Sequence, residues 1–264
     1  MKAKKIITPK RIDQAYAELL ADDKCMVLGG GTWLEKNCDE TVTLLNLDEL
    51  EIPLDYIHST TFTIQIGSKT PLAKIGESDL LDVFNNGIFK HALRSYADVE
   101  TCEKATAGGD LTVKPGDSHL IPALLVTDPM VLFYGYEKEA LEDIHHEHLS
   151  YIPLEEYLEM EPLRDIMTEI VVPKTMNSHF VCKKDLQTGK TILNVAVGRY
   201  GSQLRVAIGG RPNVAKMWRG NDKTDIDEII EYFDFGDDEL ATAEERKALA
   251  KELILETYKV IDFR

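Results

Sequence analysis

Three consecutive glycines separate a short apolar segment from a plausible helix in the stretch VLGGGTWLEKN, which runs from Val27 to Asn37. Glycine costs up to ~1 kcal/mol per position relative to alanine in regular structure. A run of three therefore indicates a positive φ or the close approach of another group, and a phosphate is one such group. An ordinary tight turn is the alternative explanation.

Two common nucleotide-binding motifs fit these glycines poorly. A Walker phosphate loop ends in Gly-Lys-Ser/Thr, whereas Gly31 is followed by Thr-Trp. A Rossmann fingerprint requires a third glycine where Leu34 stands. A third interpretation uses two loops: the amides of residues 29–32 and those of a second glycine segment, residues 106–110, converge on one diphosphate. Nests of N–H groups attract anions without any lysine.

Charge and cysteine content exclude several classes of partner. The 30 basic and 46 acidic residues give a net charge of −16, which disfavours nucleic acid and anionic membranes. Salt screens this distant charge beyond ~10 Å, so local amides can still hold a diphosphate. The four cysteines form no Cys-x-x-Cys pair, which indicates reduced thiols rather than a zinc or iron–sulfur site. No segment approaches ~20 apolar residues, so we expect a cytoplasmic protein without a membrane span.

Strand and helix patterns alternate up to a predicted domain boundary near Pro173. In the strand pattern TFTIQIG, Phe62, Ile64 and Ile66 are expected to share one face. After the boundary, three β-rich runs broken at 188–189 and 200–201 predict an antiparallel meander. Two acidic helices are expected around 226–233 and 242–260.

Five segments, taken in this order, resemble the FAD-binding (medium) subunits of molybdenum hydroxylases: VLGGGTWL, LRSYADVETCEKATAGGDL, KPGDSHLIPALLVTDPMVLFYG, IPLEEYL and LRVAIGG. Such subunits belong to complexes of the xanthine dehydrogenase, carbon monoxide dehydrogenase and nicotinate dehydrogenase type. The resemblance covers nearly the whole chain and implies an α+β fold. A vanillyl-alcohol-oxidase (PCMH) type FAD-binding domain would span residues 1–172, split into two subdomains near residue 55. A small α+β domain with an antiparallel sheet, similar to the carboxy-terminal domain of the carbon monoxide dehydrogenase flavoprotein, would span 173–264.

The resemblance also implies which residues surround FAD. The first glycine loop, residues 27–34, and the second glycine segment would wrap the pyrophosphate and ribityl chain. The residues concerned are Val27, Leu28, Gly29, Gly30, Gly31, Thr32, Trp33, Leu34, Thr106, Gly108, Gly109 and Asp110. Tyr96 and Met167 correspond to a pair that encloses adenine, which a ring and a thioether suit. Asp117 corresponds to an acid that accepts hydrogen bonds from FAD hydroxyls. Lys183 corresponds to a cation beside the isoalloxazine, which would stabilise the anionic reduced flavin and raise its potential.

Each of these assignments has a structural alternative. Tyr96 and Met167 would serve equally well as core residues. Asp117 would suit the cap of a helix that begins at residue 118 or 119, and Lys183 would suit an exposed strand position. The chain also departs from the family pattern, because Asp110 stands where many relatives have Asn. The HHEH run at 145–148 does not predict a metal site, since adjacent side chains of an extended segment point to opposite faces.

The function implied by the resemblance is electron transfer within a larger complex. Its partners would be a molybdopterin-binding large subunit and a small subunit with two-iron, two-sulfur clusters, with NAD or another acceptor receiving the electrons. No side chain of this chain would act as a nucleophile. Two alternatives stay open: a stand-alone flavoenzyme similar to UDP-N-acetylenolpyruvylglucosamine reductase, which would turn over NADPH unaided, and an assembly module that binds no flavin.

Overall fold

The computed structural model describes residues 3–135, 149–174 and 177–262. The HHEH run at 145–148 lies outside these ranges. Within them, no three His, Cys, Asp or Glu side chains are grouped so that they could hold a metal ion. No helix in the same ranges is both long enough and apolar enough to cross a bilayer.

The amino-terminal segment forms a small parallel sheet. Its elements are Lys5–Ile7 (β1), Ile12–Ala21 (α1), Cys25–Leu28 (β2), Leu34–Asn37 (α2) and Thr43–Asn46 (β3). The strand order is β1-β3-β2, and both pairs are parallel. Helix α1 covers the sheet through Ala15 and Leu19, which pack with Leu45 in a small core. The first glycine loop therefore leaves the carboxyl end of an edge strand.

An antiparallel sheet forms the centre of the molecule. Within the described residues its strands are Ile57–Ser59 (β4), Thr63–Gly67 (β5), Met130–Tyr134 (β6), Leu149–Pro153 (β7) and Ile166–Pro173 (β8), in the order β4-β5-β8-β6-β7. Ile64 and Ile66 of β5 are fully buried, as expected. The prediction for Phe62 is wrong, because its side chain is 77% exposed. Phe62 precedes the strand, in a turn where the Thr60 N–H bonds the Thr63 carbonyl, so the alternation of β5 does not reach it.

Short helices cover this central sheet. They are Leu72–Gly76 (α3), Asp79–Asp82 (α4), Ile88–Leu93 (α5), Val99–Lys104 (α6), Ala107–Val113 (α7), Leu120–Leu125 (α8) and Leu154–Glu159 (α9). Their apolar residues build the main core together with β5, β6 and β8. The second glycine segment, expected to be a loop, forms the first turn of α7. Thr106 caps that helix, because its Oγ1 accepts a hydrogen bond from the Gly109 N–H at 3.2 Å.

The carboxy-terminal segment confirms the predicted meander. Its elements are Asn177–Lys184 (β9), Thr191–Tyr200 (β10), Gln203–Gly209 (β11), Lys216–Asn221 (β12), Ile226–Glu231 (α10) and Ala243–Asp262 (α11). The order β12-β11-β10-β9 is antiparallel throughout. Gly189 and Gly201 have φ values of +71° and +59° in the two predicted turns, where glycine carries no steric penalty. Helices α10 and α11 pack on one face of the sheet.

The other face of this sheet joins the main core. Phe180, Ala196 and Met217 belong to the same apolar cluster as Phe89 of α5. The change of sheet between β8 and β9 falls at the predicted boundary near Pro173, and the change between β3 and β4 falls near residue 55. Because the segments share a core, the division into independent domains stays a prediction.

Candidate functional site

The two glycine segments lie against each other. A Cβ added to Gly29 would stand 2.8 Å from Oγ1 of Thr106 and 3.7 Å from the Cα of Gly109. A Cβ added to Gly30 would lie 1.6 Å from the carbonyl oxygen of Lys104. Gly31 has a φ of +78°. The close approach of a neighbouring backbone and one left-handed residue therefore explain why this loop consists of glycine.

The first glycine loop presents backbone donors that the protein leaves open. Among the residues that the structure describes, none accepts a hydrogen bond from the amides of residues 29–32. All four of these residues are only partly buried. Backbone N–H groups in such positions require an acceptor from solvent or a ligand. This loop is therefore able to bind an anion through its main chain.

The second glycine segment differs, because the amides of its residues 107–110 already have protein partners. The N–H of Ala107 donates to the Thr70 carbonyl at 3.0 Å, that of Gly108 to the Ser68 carbonyl at 2.8 Å, and that of Gly109 to the Thr106 hydroxyl at 3.2 Å. The amides of residues 29–32 are therefore available for the predicted contact with a diphosphate and those of residues 107–110 are not, and the convergence of both segments on one diphosphate stays a prediction. The second segment contributes the surface against which the first loop packs.

A lysine that sequence analysis does not identify lies beneath the first loop. The Nζ of Lys69 donates to the carbonyls of Leu28 at 2.9 Å and Gly29 at 3.0 Å, and it lies 2.8 Å from Oδ1 of Asp48. The Lys69 side chain is only 12% exposed. The carbonyls of its chain neighbours, residues 68 and 70, accept hydrogen bonds from amides of the second segment.

The sequence gives only a weak signal for this role of Lys69, namely a lysine that stands two residues after a buried strand.

A buried carboxyl group fixes the second segment from the other side. Asp110 accepts hydrogen bonds from the Tyr96 hydroxyl at 2.9 Å and from the Ser118 hydroxyl at 2.5 Å. Burial raises the pKa of Asp110 to about 6, although both hydrogen bonds act in the opposite direction. Burial also raises the pKa of the Tyr96 phenol. The network ties α7 to the turn that follows α5 and to the start of α8.

Of the two residues predicted to enclose adenine, Met167 lies in the protein's interior and Tyr96 is only partly buried. Met167 is 7% exposed and belongs to the main core. Tyr96 is half-buried, and its ring centre lies 5.1 Å from that of His119. Burial lowers the pKa of His119 to about 4, so this ring is a neutral neighbour at physiological pH. The adenine role of Tyr96 and Met167 stays a prediction.

Asp117 is exposed and does not cap the helix that follows it. The N-cap residue of α8 is His119, and the side chain that bonds the first turn is that of Ser118, whose Oγ accepts from the Ile121 N–H at 3.1 Å. Asp117 lies close enough to Asp110 for its charge to contribute to the raised pKa of that buried carboxyl. An exposed carboxylate at this position suits the predicted contact to ligand hydroxyls, which stays a prediction.

Lys183 and Lys184 point to opposite faces of β9. Phe180 and Cys182 pack on the main core, and Lys184 on the same side has its Nζ 3.4 Å from the Tyr96 carbonyl. Val181 packs against the apolar cluster between the carboxy-terminal sheet and helices α10 and α11. Lys183 lies two residues further along the strand, on the same face as Val181, and is exposed. Lys184 is therefore the lysine that faces the Tyr96–Asp110 network, and the flavin role of Lys183 stays a prediction.

The arrangement suits a ligand with two adjacent negative charges. Open N–H groups line the first loop, and the ammonium group of Lys69 holds its carbonyl side. Added Cβ atoms at Gly29 or Gly30 would displace the segments from each other. These features fit the diphosphate of a dinucleotide.

Comparison with solved structures identifies the fold. Cu,Mo-CO dehydrogenase in its cyanide-inactivated form is 16% identical, with a TM-score of 0.80 over 97% of this chain and 96% of that chain. Carbon monoxide dehydrogenase from Hydrogenophaga pseudoflava lacking the Mo-pyranopterin moiety is 17% identical, with a TM-score of 0.77 and the same coverage. Quinoline 2-oxidoreductase from Pseudomonas putida 86 is 13% identical, with a TM-score of 0.78 over 97% of both chains.

These similarities confirm the predicted fold class. A search of curated proteins finds no match. Residues 2–175 match the family model described as the FAD binding domain in molybdopterin dehydrogenase, which assigns FAD as the cofactor. Because this match spans more than half of the 264 residues, the chain belongs to the family of FAD-binding domains of molybdopterin dehydrogenases.

Proposed function

We propose that this chain is the FAD-binding electron-transfer subunit of a multi-subunit molybdenum hydroxylase of the xanthine dehydrogenase type. Family membership supports the flavin, and the similar structures come from carbon monoxide dehydrogenase and quinoline 2-oxidoreductase. The observation that carries the proposal is the first glycine loop. It offers open amides to a diphosphate in a chain whose net charge of −16 would otherwise repel one.

The chain's contribution is to bind and orient the cofactor. FAD, when bound, supplies reversible electron and hydride transfer. The amides of Gly29 and Gly30 would donate hydrogen bonds to its diphosphate. The Tyr96–Asp110 pair would keep the second segment in place, and Lys184 or Lys183 would supply positive charge near the reduced flavin.

The proposal includes two protein partners. A molybdopterin-binding large subunit would hydroxylate the substrate, and a small subunit with two-iron, two-sulfur clusters would deliver the electrons. NAD or another acceptor would receive them from this subunit. The cytoplasmic location and the domain division at residues 172 and 173 belong to the same proposal. The structural matches cover 96–97% of the length of the similar chains, which supports a comparable role for this chain.

The first experiment is reconstitution of the purified chain with FAD, followed by its visible spectrum after removal of free flavin. We expect a yellow protein with stoichiometric FAD. A colourless protein that takes up no FAD rejects the proposal and favours the flavin-free assembly module. Steady turnover of NADPH by the isolated chain would favour the stand-alone reductase instead. Co-purification of a molybdopterin-binding and an iron–sulfur subunit supports the complex.

A further inference from the structure

The two carbonyls that Lys69 contacts belong to consecutive peptide units. The Leu28 carbonyl shares its unit with the Gly29 N–H, and the Gly29 carbonyl shares its unit with the Gly30 N–H. A trans peptide is planar, and its N–H points opposite to its C=O. Since both carbonyls are directed at one ammonium group at 2.9 Å and 3.0 Å, both N–H groups are directed away from it. Two adjacent donors aimed to one side form an anion-binding nest.

We propose that Lys69 is a positioning residue, which holds the first glycine loop in the conformation that receives the diphosphate of FAD. The inference rests on the proposed function and adds a group to its binding site. Lys69 acts from behind the loop, through the peptide units. The diphosphate would lie on the opposite side of those units.

The backbone of Lys69 is anchored firmly enough for this role. Its own N–H donates to the Leu54 carbonyl at 2.9 Å, and the N–H of Ser68 donates to the Thr168 carbonyl of β8 at 2.9 Å. Ser68 and Thr70 at the same time accept from the second glycine segment. One three-residue turn therefore sets the position of both glycine segments relative to the central sheet.

A positive charge suits this position better than a neutral donor. The ammonium group is largely removed from solvent, whereas its partner Asp48 is 61% exposed. A charged donor makes stronger hydrogen bonds than a neutral one and polarises the peptide units it contacts. The polarised units then donate more strongly on their other side. Fixing a glycine run before binding also reduces the entropy that the ligand must overcome.

The test compares Lys69→Met with Lys74→Met in the full chain. Lys74 lies on α3 nearby, where it forms a half-exposed ion pair with Asp55, so it controls for loss of one positive charge. Dissociation constants are measured for FAD, for ADP, which carries the adenosine and the diphosphate without the flavin, and for riboflavin, which carries the flavin without the diphosphate. We expect Lys69→Met to raise the dissociation constants of FAD and ADP by about tenfold or more, because the amides of the first loop lose their alignment. Riboflavin binding should not change, and Lys69→Arg should restore most of the FAD affinity.

The role of Lys69 is overturned if Lys69→Met and Lys74→Met change the dissociation constant of FAD equally. It is also overturned if Lys69→Met raises the dissociation constants of riboflavin and FAD by the same factor. If Lys69→Met does not fold, Lys69→Gln against Lys74→Gln carries the same comparison with the same expected ratio. An unaltered chain that binds no FAD overturns the proposed function itself. The two failures are therefore distinguishable.

Discussion

The two glycine segments look alike in sequence and differ in structure. Both contain adjacent glycines, and each contacts the other at Gly29 and Gly109. In the first loop the carbonyls are held by Lys69 and the amides are open. In the second segment the amides of residues 107–109 are bonded to residues 68, 70 and 106. Both segments use glycine where another part of the chain packs closely, and only the first leaves the amides of residues 29–32 without acceptors among the described residues.

The difference shows that a glycine run alone does not define a phosphate site. The relevant property is whether the N–H groups have protein partners, and this depends on residues far away in the chain. In this protein the turn formed by residues 68–70 provides carbonyls to one segment and an ammonium group to the other.

The largest effect is expected from Gly30→Ala. The new Cβ would meet the Lys104 carbonyl at 1.6 Å, and a backbone atom cannot easily move aside. We expect the free energy of unfolding of the apo chain to fall by about 3 kcal/mol or more. The matched variant Gly109→Ala meets only the Thr106 hydroxyl at 3.0 Å and gains helix propensity, so its loss should stay below about 1 kcal/mol. Urea denaturation measures both, and equal losses would contradict the closer packing at Gly30.

The second prediction concerns Asp110 and pH. Its native pKa of about 6 lies above the ~3.9 of an unfolded aspartate, so the native state binds the proton more tightly. Asp110 therefore favours folding most below about pH 4, and this contribution is lost as pH rises through about 6. The side chain in Asp110→Asn can still form hydrogen bonds with Tyr96 and Ser118, but it carries no charge. It should be more stable than the unaltered chain at pH 7.5, by roughly 2 kcal/mol, but not at pH 4.

Thermal unfolding across this pH range checks the prediction. Asp117→Asn is the matched control, because Asp117 is exposed and its replacement removes no fully buried charge. A gain for Asp110→Asn that does not depend on pH would show that the carboxyl group is not the titrating species.

The smallest effect is expected at the flavin itself. In the FAD-loaded chain, Lys184→Ala should lower the two-electron midpoint potential by about 30 mV, which corresponds to about 1.4 kcal/mol. The reason is loss of a cation on the face that carries Tyr96. Lys183→Ala changes the opposite face and should leave the potential unaltered. Spectroscopic titration against a reference dye measures both, and the reverse result would support the flavin contact predicted for Lys183 and contradict the one expected for Lys184.

Local patterns predict those features that depend on local chemistry. The triple glycine marks the first loop, in which Gly31 has a positive φ. The glycines at 189 and 201 mark the turns of the meander, and both have a positive φ. The face of β9 on which Lys183 lies is harder to predict from sequence, because a shift of one residue exchanges the two faces of a strand. The helical start of the second segment and the role of Lys69 depend on contacts with distant residues. Neither Ser68 nor Asp48 is identifiable as a partner from spacing alone.

Backbone hydrogen exchange, resolved by residue and measured with and without FAD, tests the assignment of the diphosphate to the first loop. In the free chain, the amides of residues 29–32 should exchange quickly and those of 107–109 slowly, because within the described part of the chain only the latter have acceptors. With FAD bound, exchange at 29–32 should slow by about tenfold or more, and 107–109 should change little. Protection that appears at 107–109 while 29–32 continue to exchange quickly would contradict the assignment.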